Sequence, residues 1–60
     1  MSKRFVMRSE ADASWTVYDL AQGHPAIADD RLLIGMPLHR ATDFAGLLNA
    51  RAAERAALPA

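Results

Sequence analysis

The chain has 60 residues, no Cys, and seven basic against seven acidic side chains, so its formal net charge is zero. That length allows a single small domain, residues 1–60, and a chain of this size buries only about 60% of its unfolded surface. The composition excludes disulfides and thiolate zinc sites. It also excludes an apolar run of about 18 residues for a membrane span and the basic excess of a free-standing nucleic-acid binder.

The elements follow in chain order. Residues 4–8, a short apolar segment between charges, read as the first strand, and the polar run Ser9 to Ser14 as a hairpin loop. Residues 14–20 read as the second strand, rich in β-branched and aromatic side chains. Gly23 and Pro25 break it. Residues 26–28 and 31–34 pair as a short hairpin across Asp29-Asp30, although Asp-Gly would suit a type I′ turn better. Pro37 fits the first position of a helix, which then spans residues 38–57. Leu58-Pro59-Ala60 stops it. The predicted fold class is α+β: a three-stranded, or short four-stranded, antiparallel meander packed against one C-terminal helix.

Within the helix, Ala41, Phe44, Ala45, Leu47 and Leu48 form one apolar stripe that faces the sheet. Arg51 and Arg55 continue it, which predicts that the helix overruns its sheet, with the Arg stems on apolar surface. Arg51 and Glu54 have the spacing of a helical ion pair. The opposite face carries Thr42, Gly46, Asn49, Ala50, Ala53, Ala56 and Ala57. Gly46, Ala50, Ala53 and Ala57 have the spacing of a helix–helix seam, and also that of a helix simply rich in a good helix former. In the sheet, Phe5, Met7, Trp15 and Val17 point to the helix, while Val6, Tyr18 and Leu20 point away and are left for another surface to cover.

Chemistry is sparse. His24 and His39, with Asp19, Asp29, Asp30 and Asp43, show no ligand spacing. No Ser lies in a nucleophile elbow. Gly23, Gly35 and Gly46 are scattered and build no phosphate loop. The sequence predicts no catalytic residue, no cofactor and no metal, hence no enzyme. Thirteen of the residues are Ala, so the core is thin, stability is expected at roughly 3–5 kcal/mol, and self-association is a natural supplement. The N-terminal eight residues have no continuous apolar region and do not read as a secretory signal. A cytoplasmic bacterial protein is expected.

The run from Trp15 to Ala26, followed by Asp29-Asp30-Arg31, Gly35 and Asp43 to Asn49, resembles a group of small uncharacterised bacterial proteins. Their pattern is W-x-V-x-D-x-x-x-G-x-P-A, an Asp-Gly turn, a Gly-Leu step, an acidic helix start and L-x-x-L-L-N. This chain departs from it at Asp30 and at Pro37. The resemblance implies a strand–turn cassette and a C-terminal helix, and it brings no assigned activity. The strand and helix order is also similar to small antitoxin domains of the HicB type, a likeness of topology alone.

Function is therefore expected to be non-catalytic and to work through protein–protein contact, as a homodimer or with a protein partner and without a membrane. The candidate interface is Val6, Tyr18, Leu20, Gly46, Ala50, Ala53, Ala57, Arg51 and Arg55. The alternative is a nucleic-acid-associated, antitoxin-like or phage-type regulator, resting on Lys3, Arg4, Arg8, Arg51 and Arg55. One face for those five favours nucleic acid, and scatter favours protein contact.

Overall fold

The β-branched and aromatic run Trp15–Asp19 becomes the central strand, and the rest of the sheet is organised around it. A computed structural model describes residues 3–57. The expected helix stop at Leu58-Pro59-Ala60 lies outside them. The elements are β1 (Phe5–Ser9), β2 (Trp15–Asp19), β3 (His24–Pro25), β4 (Ile27–Ala28), β5 (Arg31–Leu32) and α1 (Leu38–Ala57). The fold is α+β. A three-stranded antiparallel sheet in the order β1-β2-β3 and a two-stranded sheet β4-β5 accompany the one helix. β1 pairs with β2 in the register Phe5↔Asp19 to Ser9↔Trp15.

The chain forms the expected antiparallel meander, with an interruption in its third strand. Gly23 and Pro25 do turn it, but His24 and Pro25 then pair back with Asp19 and Tyr18 as β3. The Ala26 N–H donates to Val17 C=O (2.8 Å), and the Val17 N–H to Leu33 C=O (2.9 Å). Further along, Met36 bridges Trp15. Residues 24–26 and 33–36 together therefore act as one interrupted third strand along β2. The hairpin β4–β5 buds out of the gap, closed at its base by the Leu33 N–H on Ala26 C=O (2.9 Å). An interrupted partner satisfies the backbone of β2 on both edges, as burial requires.

The core is small. Phe5, Val17, Ala26, Leu33, Ala41 and Ala45 are buried, and Val17 is fully so. Trp15, Met36, Phe44, Leu48 and Ala52 pack against them half-buried. The helix therefore faces the sheet along the line Ala41, Ala45, Leu48, Ala52. Leu47, expected on that stripe, is instead exposed; it lies about 120° around the helix from Ala41. Asn49 and Thr42, expected on the far side, flank the stripe and meet β1. The Phe5 N–H donates to Asn49 Oδ1 (2.9 Å), and Asn49 Nδ2 donates to Phe5 C=O (2.8 Å). Thr42 Oγ1 donates to Leu38 C=O (2.9 Å) and lies 3.5 Å from Met7 Sδ. Pro37 stands one residue before the helix, and its carbonyl accepts from the Ala41 and Arg40 N–H groups, both at 3.1 Å. Ala52 is the last half-buried position, and Ala53 to Ala57 are exposed. The helix thus overruns the sheet, as the two Arg in its stripe imply.

Two loops hold non-glycine residues in the left-handed region. Asp29 and Asp30 have φ of 52° and 61°, the pattern of a type I′ turn, and Ala13 in the β1–β2 loop has φ of 68°. Left-handed backbone is costly for Ala and better tolerated by Asp. Ala13→Gly and Asp30→Gly are each expected to stabilise the protein, Ala13→Gly more. The net gain is about 0.5 kcal/mol after the extra unfolded-chain entropy of Gly. Thermal denaturation checks this: a midpoint rise of roughly 2–4 °C is expected, and no rise in either variant would overturn it.

Candidate interaction surfaces

The sequence-predicted residues fall on three surfaces, of which the second and third adjoin at Ile27, Leu48 and Arg51. The first is the side of the sheet turned away from the helix. Val6 and Tyr18 are cross-strand partners there, and both are half-buried. The Arg8 guanidinium lies over the Tyr18 ring, 4.9 Å from its centre, and Tyr18 Oη donates to Gly23 C=O (2.6 Å). Stacked cation and donated hydroxyl give this face part of its own cover. Next to Tyr18, Thr16 is buried. Arg8, Glu10, Thr16, Tyr18, Pro25 and Ile34 line a broad, shallow hollow of about 630 Å³. Leu20 lies beyond the end of β2 and is 55% exposed.

The second surface is the outer side of α1. Gly46, Ala50, Ala53 and Ala57 are all exposed, and a Cβ at Gly46 would meet only open space. This side is flat and small-residue, as its spacing implies. Beside it runs a cleft of mixed polarity between the hairpin and the helix, lined by Ile27, Ala28, Phe44, Leu47 and Leu48 together with Asp29 and Arg51. Sequence reasoning left out Ile27 and Leu47 as surface residues. The signal was present only in the interrupted strand, which carries Ile27 outward, and in the helix angle of Leu47.

The third surface lies where α1 overruns the sheet. Arg4, Phe5, Asp19, His24, Leu48, Arg51 and Arg55 are among the residues lining a hollow of about 470 Å³. Arg4 Nε and Nη2 donate to Asp19 Oδ1 and Oδ2, both at 2.9 Å. The Ala21 N–H donates to Asp19 Oδ1 (3.0 Å). The Arg4 guanidinium holds the Asp19 carboxyl below its ordinary pKa, overcoming the opposing effect of burial. Among the described residues Arg4–Asp19 is the one ion pair, so the predicted Arg51–Glu54 pair does not form. His24 Nδ1 donates to Pro25 C=O (2.7 Å). Three of the five basic residues singled out, Arg4, Arg51 and Arg55, thus share one hollow. Arg8 lies elsewhere, on Tyr18.

Among the described residues no three His, Asp or Glu side chains come together as a metal set. Among the described residues, too, no helix is long and apolar enough to cross a membrane. In comparisons with known proteins, no family model, no curated protein and no solved structure matches this chain.

Proposed function

We propose that this chain is a small non-catalytic module that acts through protein–protein contact and associates with itself. The observation that carries the reading is the imbalance between core and surface. Among the described residues only three large apolar side chains, Phe5, Val17 and Leu33, are buried, whereas Met7, Leu20, Ile27, Leu32, Ile34, Leu38 and Leu47 are all at least 36% exposed. A core this small supports little stability by itself. Contiguous exposed apolar surface marks contact sites, and binding to the folded state alone adds stability by mass action. Ile27 and Leu47, on either side of the hairpin–helix cleft, are the centre of the proposed contact. The outer face of α1 continues it. The resemblance to small bacterial proteins fits this reading and adds no chemistry to it.

Sedimentation equilibrium at micromolar concentration is the test. The expected result is a mass above the 6.5 kDa of one chain, rising with concentration and returning to one chain's mass in Leu47→Glu. Because Leu47 is exposed, that variant keeps the core intact. A strict monomer across the micromolar range, with no partner retained in affinity capture, would overturn the proposal. A second reading, a nucleic-acid-associated regulator, is favoured by the gathering of Arg4, Arg51 and Arg55. Duplex or single-stranded DNA binding with a steep salt dependence would select it.

A further inference from the structure

We infer that the hollow under the overrunning end of α1 is a binding site for a phosphate group. The inference goes beyond protein contact and does not depend on it. Its first support is charge. Three guanidiniums line the hollow, and Asp19 is the single carboxylate facing them. The end of the helix adds about half a negative charge. More than one positive charge is left without a counterpart, on a chain whose net charge is zero. The basic residues are therefore placed there unevenly.

The second support is the fixing of Arg4. A guanidinium has five N–H donors in a rigid planar fork. Arg4 gives one from Nε and one from Nη2 to Asp19, so three remain, including both on Nη1. The Asp19 side chain is 7% exposed and that of Arg4 39%. The carboxylate is thus an anchor inside, and the guanidinium it orients reaches solvent. Its remaining donors are held in place before any ligand arrives. A planar fork suits the oxygens of a phosphate, and a pre-set donor loses less freedom on binding.

The opposite wall supplies Arg51 and Arg55. They are four residues apart, hence on one side of α1, and no described carboxylate pairs with either. Gln22 and His24 add polar groups, and Phe5, Ile27, Leu48 and Ala52 supply the apolar part of the wall. The hollow, about 470 Å³, falls within the range of roughly 300–1,000 Å³ usual for small-molecule sites. It would take a free phosphate, a pyrophosphate or a phosphate of a nucleic-acid backbone by the same donors.

The test is a titration of the full-length, ¹⁵N-labelled protein followed by amide and Arg side-chain NMR shifts. One arm uses inorganic pyrophosphate and the other a short oligothymidylate. Saturable shifts are expected at Gln22, His24, Arg51 and Arg55 and in the Arg4 side chain. Arg51→Gln with Arg55→Gln is expected to weaken binding at least about tenfold, while Arg8→Gln with Arg40→Gln leaves it unchanged. All four positions are exposed, so an unaltered spectrum elsewhere certifies the fold. Saturation by pyrophosphate supports the site and assigns it to small phosphates. Saturation by the oligonucleotide alone, weakening steeply with salt, supports it and assigns it to a nucleic-acid backbone. No saturable shift in either arm overturns the inference, as does equal weakening in both double variants. Self-association is measured separately by sedimentation, so the two proposals fail independently.

Discussion

Replacing Asn49 with Ala is expected to remove about half of the protein's stability. The side chain bonds both the N–H and the C=O of Phe5, on the edge of β1 that has no neighbouring strand. It stands in for one residue of a missing strand, and it ties the middle of the helix to the sheet edge. Two partly buried hydrogen bonds are worth about 2 kcal/mol together. Against a total of roughly 3–5 kcal/mol that is a large share, and the thermal midpoint should fall by roughly 8–16 °C. Urea denaturation measures the loss, and hydrogen exchange locates it, with the Phe5 amide losing protection first. Asn49→Asp should also destabilise, since it keeps the acceptor but sets a carboxylate against the Phe5 carbonyl. A loss below about 0.5 kcal/mol in Asn49→Ala would mean that the edge is held by packing alone.

Asp19→Ala should cost a similar amount, about 2–3 kcal/mol, because the hydrogen bonds it loses include two to a charged partner. It would leave the Ala21 N–H without its acceptor and free Arg4. The same group makes stability pH-dependent. Its folded pKa lies below its ordinary value, while in the unfolded chain it is about 3.9. The stabilisation is therefore complete above that unfolded value and is lost as pH falls below it toward the folded pKa. Stability measured from pH 7 downward should hold to about pH 5 and then decline. Asp19→Asn should be less stable at neutral pH and flatter in acid. Some slope will survive in it, because the Ser14 hydroxyl and N–H also lower the exposed Asp12. An acid slope identical to that of the parent would assign the effect to other groups.

Much of this fold can be read from periodicity and turn chemistry. The helix start at Leu38 and the turn at Asp29-Asp30 match their sequence signals. Long unbroken patterns and left-handed Asp pairs are local properties, and local properties are written in adjacent residues. β3 was hidden because Gly23 and Pro25 read as breakers. Pro25 is accommodated in a two-residue strand, where a missing donor costs little. Asn49 was hidden for another reason: a polar residue about 80° off the apolar line looks solvated until the strand edge beside it is known. The basic hollow was half-visible. Arg51 and Arg55 in an apolar stripe announced that the helix outruns its sheet. That Arg4 joins them depends on β1 beginning at that same end, which is a matter of tertiary geometry.

The interrupted third strand bears on how the chain can change. Ala26 and Leu33 are joined by a hydrogen bond, so the ladder on β2 continues across the gap. The register is set by these two ends and not by what hangs between them. Residues 27–32 are in effect a cassette, exchangeable for a hairpin of another length, since doubling a loop costs only about 0.6 kcal/mol in closure entropy. Ile27 and Leu32 ride on that cassette. These two exposed side chains and the framework are thereby carried by different stretches of sequence, and one can drift while the other is held.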